Sequence, residues 1–326
     1  MRLTNYKDIA VYKYQLTIVI VNWNTKTLTS ECLRSIFENY HSKDWNVVVV
    51  DNASSDGSVE LISSLFPQVE LVKNTQNRGF AAANNQVLSR RDSKYYLLLN
   101  SDTYVIGDAI KSSLDFINAK SEVGAFSCKV LNEDMTYQQT CFNYPTISSR
   151  LHDAFKFKNV FGKKHVSKEM LDNWDRNSER EVEVITGCYL LVSQEVIDDV
   201  GTLDEDFFFF GEETDWCFRI KSKGWKLVFS PVGEIVHYGG GSAKKLQHKR
   251  ELMLHSSIVR FMKKHHGFLS AIAMYVIMFM FVLTRFFYWS FLYLVKNKKQ
   301  NRDKASFFLK CITGYVAAWP RNNRSW

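Results

Sequence analysis

Proline is scarce in this chain, 4 in 326 residues, and its 6 cysteines form no CxxC pair and no metal-ligand spacing. So few prolines, beside 24 Phe, 15 Tyr and 8 Trp, exclude a disordered or low-complexity protein. Cys32, Cys128, Cys141, Cys188, Cys217 and Cys311 mostly sit in apolar surroundings, which fits buried thiols in a reducing cytoplasm rather than a disulfide framework. No apolar run precedes Leu16, so no signal peptide is expected. Internal repeats are absent as well. A chain of this length can bury one large core, or a core with an appended element.

What the chain does have is a regular alternation. Residues 16–21, 47–50, 69–72 and 95–99 are short apolar runs that read as strands. Between them lie helical patterns: one from Thr27, with Leu28, Cys32, Leu33, Ile36 and Phe37 on one face, one from Ser58, and one opened by Asn77-Arg78-Gly79-Phe80 that carries Asn84 and Asn85. Strands alternating with helices predict right-handed βαβ units in a doubly wound, mainly parallel α/β sheet. Residues 125–131 form a further strand, whereas 133–180 are polar and read as a long insertion or mobile loop over the site. Order returns at 183–192. It continues through the phenylalanines at 207–210, a helix over about 213–223, a strand at 226–229 and a last run at 235–241.

Polar clusters stand where these strands stop. The run 95–99 ends at Asn100-Ser101-Asp102. Ligands of open α/β sheets collect beyond the carboxyl ends of such strands, and an aspartate there can hold a hard divalent cation that grips a diphosphate. A turn explains the same three residues equally well. Asp51 closes the second strand, where a carboxylate can meet a base or ribose; the alternative is a cap or Asx-turn, for which Asp56 is the better placed residue. Gly79 allows a close backbone approach. Glu212-Glu213-Thr214-Asp215 opens a helix after four phenylalanines. Apolar neighbours raise a carboxyl pKa and a helix N-terminus lowers it, a balance that suits a general base. His237 lies at a strand end before three glycines and reads either as a metal ligand or as a hydrogen-bonded core histidine.

In order and spacing, LTIVIVNWN, VVVVDNASSDGS, NRGFAAANN, YLLLNSD, ITGCYLLVS, FFFFGEETDWCFR and IVHYGGGS resemble the family 2 glycosyltransferases, above all the bacterial rhamnosyltransferase-like branch that builds cell-surface polysaccharides. The resemblance covers about residues 15–243 and implies a GT-A fold. It also implies inversion in one displacement, a nucleotide-diphosphate sugar donor (dTDP-rhamnose favoured, UDP-hexoses the alternative), a glycan or lipid-linked acceptor, and Mg²⁺ or Mn²⁺. It assigns Val21, Asn22, Asp51, Asn52, Ser54, Gly79, Asn84, Asn100, Ser101, Thr186 and Gly187 to the donor and acceptor surroundings, with Asp51 at the nucleobase. Asp102 and His237 fall at metal positions, and Glu213 at the base. Two residues depart from the family pattern: Asn100 replaces a ligand carboxylate, and Glu213 stands where many relatives have Asp, which keeps Asp215 open as the base. A nucleotidyltransferase would carry a Gly-rich, basic phosphate loop after the first strand, where Asn22-Trp23-Asn24-Thr25 stands instead. A catalytically inactive, nucleotide-binding assembly subunit is the other alternative.

Charge separates residues 1–243 from 244–326. The 42 Lys and Arg exceed the 34 Asp and Glu by a formal +8, and much of the excess falls after residue 243, at Lys244, Lys245, Lys249, Arg250, Lys263, Lys264, Lys296, Lys298, Lys299 and Arg302. Residues 268–295, with the single charge Arg285, lie between these clusters and favour an anionic membrane over a nucleic acid as partner. A helix of that length is about 42 Å, longer than the roughly 30 Å bilayer core. One straight span would hold Arg285 in lipid at about 2.5–3.5 kcal/mol. The expectation is therefore a catalytic domain over 1–243, with halves at about 15–120 and 121–243, and a membrane-associating tail that is interfacial or re-entrant on the cytoplasmic face. An apolar helical subdomain packed on the catalytic domain, or on a second copy in a homodimer, is the soluble alternative.

Overall fold

The computed structural model describes residues 12–39, 42–155, 171, 174–239 and 247–320. The chain opens with β1 (Tyr14–Asn22), α1 (Lys26–Asn39), β2 (Trp45–Asp51), α2 (Ser58–Leu65), β3 (Glu70–Lys73), α3 (Gly79–Leu88) and β4 (Ser93–Asn100). These are the alternating elements expected from the apolar runs. β5 (Thr103–Ile106), α4 (Ala109–Asn118) and β6 (Val123–Leu131) follow. Then come β7 (Cys141–Phe142), α5 (Ile147–Phe155), β8 (Arg180–Glu181), β9 (Val184–Ile185), β10 (Tyr189–Ser193), α6 (Gln194–Val200), α7 (Glu212–Ser222) and β11 (Lys226–His237).

The main sheet has the order β3-β2-β1-β4-β10-β6-β11-β5, with β8 on β11; β7 and β9 pair separately. β3 to β4 are parallel throughout. β10 runs against both β4 and β6, and β11 runs parallel to β6 but against β5 and β8. The sheet is thus parallel in its first half and mixed beyond. An apolar run buried on both faces does not reveal its neighbour's direction, because either ladder satisfies the backbone.

Side chains alternate along each strand and feed two cores. From β4, Tyr95, Leu97 and Leu99 join Cys32, Leu33 and Ile36 of α1 and Ile110, Leu114 and Ile117 of α4. Tyr96 and Leu98 point the other way, to Ala81, Ala83 and Val87 of α3 and Trp216, Cys217 and Ile220 of α7. This strict period of two with helices on both faces is the doubly wound arrangement.

The 133–180 stretch is more structured than its composition suggests. After β6 the chain reverses at once: Asn132 N donates to Thr136 O (2.7 Å), and Gln138 N donates to Val130 O (2.9 Å). β7 then pairs with β9, bringing Cys141 opposite Ile185. Residues 156–170 and 172–173 of the expected insertion lie outside the described residues, as do Gly240, Gly241, Lys244 and Lys245.

Beyond the sheet lie α8 (Gln247–His266), α9 (Phe268–Lys296) and α10 (Lys299–Thr313), followed by a 3-10 turn at Tyr315–Ala318. They enclose a third core of Leu252, Val259, Phe261, Met274, Met278 and Tyr315, to which Phe207 also belongs. α9 is long and apolar enough to cross a membrane by length and composition. It buries only Ala271, Met274, Met278 and Val282, one stripe at helical spacing.

Candidate active site

Strand register brings the polar ends of β1, β2 and β4 side by side: Asn22 is level with Asp51, and Val21 with Asn100. Asn22, fully buried, is the hub. Its Nδ2 donates to Asp51 Oδ1 (2.7 Å) and Ser54 Oγ (3.0 Å), while its Oδ1 accepts from Thr25 and Thr29 Oγ1, each at 2.8 Å. Thr25 Oγ1 lies 2.9 Å from Ser101 Oγ, which ties the network to the end of β4. Asp51 Oδ2 accepts from Ser54 N (3.0 Å), three residues on, so Asp51 also braces the loop that leaves the strand end. Asp56, expected to cap α2, also accepts from Lys26 N (2.9 Å) at the start of α1; its other oxygen takes Ser58 N (3.1 Å). One carboxylate thus serves two helix N-termini. Nothing in the spacing of Thr25 and Thr29 marks them in the sequence.

Asn52 is wholly engaged by protein. Nδ2 donates to Asn77 Oδ1 (3.1 Å) and Gly79 O (3.2 Å), and Oδ1 accepts from Asn74 Nδ2 (3.0 Å) and Arg78 N (3.3 Å). It shapes the loop into α3 rather than presenting an amide to the cleft. Gly79 has φ +80°, and a Cβ there would stand 2.5 Å from Phe208 O. Its close approach is therefore to the turn before α7. Asn84 donates to Phe80 O (2.9 Å), while its buried Oδ1 has no partner among the described residues.

Asp102 and His237 meet at the far side of β4. β11 pairs with β5 so that His237 is level with Thr103, and Tyr238 N donates to Asp102 O (3.0 Å). This places His237 Nε2 3.2 Å from Asp102 Oδ1 and 3.2 Å from Asn100 Nδ2. The opposite ring nitrogen, Nδ1, lies 2.6 Å from Gln138 Oε1. The carboxylate oxygen suits Mg²⁺ or Mn²⁺, and the imidazole nitrogen beside it favours the softer Mn²⁺ of the two. Among the described residues no group of three His, Cys, Asp or Glu forms a fuller cluster, so the pair would need ligand oxygens to complete a shell.

On the other rim, Thr186 N donates to Thr140 O (3.0 Å), and a Cβ on Gly187 would stand 2.9 Å from the Phe80 ring. α7 brings three carboxyls with different surroundings. Glu212 is 4% exposed; burial pushes its carboxyl well above the usual range, Glu213 adds to the shift, and Oε2 has no partner among the described residues. Glu213, half-buried, is also raised by burial, with main-chain hydrogen bonds at Glu213 and Gly211 pulling it down. That is the opposition of effects expected for a base at a helix head. Asp215 has no exposed surface. Its Oδ2 accepts from Arg219 Nε (2.8 Å), and its Oδ1 stands 2.7 Å from both Lys264 Nζ and His265 Nε2. Expected as a second candidate base, Asp215 is a clamp between α7 and α8, with both oxygens spent on cations and none left for a hydroxyl.

The Glycosyl transferase family 2 model matches residues 17–167. The N-acetylglucosaminyl-diphospho-decaprenol L-rhamnosyltransferase of Mycobacterium tuberculosis is 22% identical over 237 residues, 68% of this chain and 76% of its own length. A low-salt glycan biosynthesis hexosyltransferase of Haloferax volcanii is 22% identical over 232 residues, 68% of this chain and 66% of its own length. In fold, the chain is similar to a Pyrobaculum calidifontis mannosyltransferase solved with GDP-mannose and Mn²⁺, at a TM-score of 0.56 and 17% identity, covering 94% of this chain and 86% of that one. By the matched family model and these relatives, on a GT-A sheet, the chain is similar to the family 2 glycosyltransferases, in a rhamnosyltransferase-like form.

Proposed function

We propose that the protein is an inverting glycosyltransferase that moves a sugar from a nucleotide-diphosphate donor, dTDP-rhamnose, to a glycan or lipid-linked acceptor in cell-surface polysaccharide synthesis. The observation that carries the mechanism is Glu213: alone among the α7 carboxyls it is neither sealed in the interior nor consumed by ion pairs. Held up by burial yet restrained by the helix head, it takes the proton of the acceptor hydroxyl as that oxygen attacks the anomeric carbon from the face opposite the diphosphate. Similarity to the mycobacterial rhamnosyltransferase favours a rhamnosyl donor and a lipid-linked acceptor, while the haloarchaeal hexosyltransferase keeps hexosyl donors in competition.

Asp102 and His237 would hold Mg²⁺ or Mn²⁺, which, when bound, offsets the charge that builds on the departing diphosphate. The Asn22–Asp51–Ser54 network and the Thr25–Ser101 bond hold the three strand ends in register for the nucleotide. α9, on this reading, lies on the cytoplasmic face of the membrane and keeps the cleft near a lipid-linked acceptor.

Transfer assays with dTDP-rhamnose and UDP-hexoses in the presence of Mn²⁺ test the donor; turnover with UDP-hexoses alone would replace it. Glu213→Gln is expected to bind donor within a few-fold of the parent, by calorimetry, and to lose transfer. Turnover within a few-fold of the parent would remove Glu213 as the base. In the parent enzyme the acid limb of kcat/KM is expected above the ordinary carboxylate range, because burial raises the group that must ionise.

A further inference from the structure

Gln138 reaches His237 from the hairpin that follows β6, and it grips that residue twice. Gln138 Nε2 donates to His237 O (3.0 Å) and to Asn132 Oδ1 (2.8 Å). The acceptor role of Asn132 Oδ1 is fixed in turn, because Asn132 Nδ2 donates to Thr136 Oγ1 (3.0 Å) and Tyr137 O (3.2 Å). With its amide hydrogens committed to those two oxygens, Gln138 turns Oε1 toward His237 Nδ1 at 2.6 Å. An amide oxygen only accepts, so Nδ1 carries the ring proton. In the neutral ring Nε2 then presents its lone pair on the side where Asp102 Oδ1 lies, 3.2 Å away.

We propose that Gln138 is a positioning residue that fixes the tautomer and ring plane of His237, so that Nε2 faces the cation held with Asp102. The inference rests on the assignment of Asp102 and His237 as the cation pair. A histidine that ligates through one nitrogen needs the other held by an acceptor, and losing that acceptor typically costs 10–100-fold in metal affinity. The hairpin makes the arrangement stiff: Gln138 N is bonded to Val130 O (2.9 Å), so the side chain starts from a backbone anchored to β6.

The test uses the full chain with dTDP and Mn²⁺ as probes. Long-range ¹H–¹⁵N spectra of the cation-free protein report which nitrogen of His237 is protonated, and electron paramagnetic resonance titration reports Mn²⁺ affinity. The parent should show the Nδ1–H tautomer. Gln138→Met, which keeps length but loses the acceptor, should lose that preference and bind Mn²⁺ about 10–100-fold more weakly. Gln138→Glu restores an acceptor and should bring affinity back to within a few-fold of the parent. An Nε2–H tautomer in the parent, parent-like affinity in Gln138→Met, or no recovery in a folded Gln138→Glu would overturn the proposal. His237→Ala separates the two layers: undiminished Mn²⁺ binding there removes the cation pair itself, and with it the role of Gln138.

Discussion

Glu212 and Glu213 are neighbours in sequence with opposite fates, and the difference is burial. Glu212 is sealed beneath the head of α7 with an oxygen that meets no donor among the described residues. Burial raises its carboxyl in the folded state, so folding binds a proton there. The stability that comes from that proton is complete below the unfolded value of about 4.3 and is lost as pH rises toward the raised one. Glu212→Gln, uncharged and similar in shape, should therefore unfold like the parent near pH 4 and become progressively more stable than it toward neutral and alkaline pH. Thermal midpoints across that range measure the difference, and a pH-independent gap would exclude a buried ionisable Glu212. At this scale the sequence made part of the site legible. Asp102 and His237 stand where apolar runs stop, which a one-dimensional pattern records. Gln138 does not: its contact with His237 spans 99 residues and depends on a hairpin inside a stretch that reads as featureless. Asp215 reads as a candidate base in the sequence for the same reason, since Lys264 and His265, which occupy it, come from α8.

Among the elements, β1, β2 and β4 declared themselves because a strand buried on both faces leaves an unbroken apolar run. Strand direction did not, and β10 entered the sheet against both neighbours. The turn over residues 207–210 gained a role that composition hides. Phe208 O accepts from Phe80 N (3.3 Å) at the head of α3, and the next residues lead straight into α7. α3 and the turn that leads into α7 are thus joined through one carbonyl, and Gly79 is the residue small enough to let it in. Gly79→Ala combines a φ of +80° with a Cβ only 2.5 Å from that oxygen. A loss of about 1–3 kcal/mol is expected from the strained backbone alone. Gly107→Ala is the control: its φ is +51°, but nothing lies within 4 Å of the added Cβ. Equal losses in the two, by urea unfolding, would show that the contact with Phe208 contributes nothing.

For the whole molecule, the question is what α9 faces. Taking about 100° per residue, Ala271, Met274, Met278 and Val282 all lie within about 60° of Arg285 around the helix. The exposed Leu269, Ile272, Val276, Met280, Phe287 and Phe291 lie about 140–240° away from it. The one charge within the apolar stretch 268–295, Arg285, is on its protein-facing side, and the opposite side is an apolar seam. The concern that a straight span would strand Arg285 in lipid is met by this orientation. We propose that the seam lies on an anionic bilayer, to which Lys296, Lys298 and Lys299, exposed at its end, add charge attraction. Co-sedimentation should be strong with vesicles containing anionic lipid, weak with zwitterionic ones, and reduced at high salt. Ile272→Ser with Val276→Ser and Phe287→Ser should lower it at least tenfold without moving the unfolding midpoint. A parent that ignores vesicles but dissociates from dimer to monomer when so substituted would assign the seam to a second copy instead.

Arg285 does more than face inward. Its guanidinium donates to Asp153 O (2.7 Å) and Ala154 O (3.4 Å), and Thr284 Oγ1 also reaches Ala154 O (3.1 Å), so α9 closes the carboxyl end of α5. The chain just before α5 is β7, whose partner β9 runs directly into Thr186 and Gly187. A twist of α9 about its own axis would have to break that cap before it could turn the seam, and the cap is hung from the same short ladder that carries the rim of the cleft. The outward bearing of the tail, which the third core also holds, is thus tied through α5 to the segment that carries the rim, so that a surface pulling on one would be felt at the other.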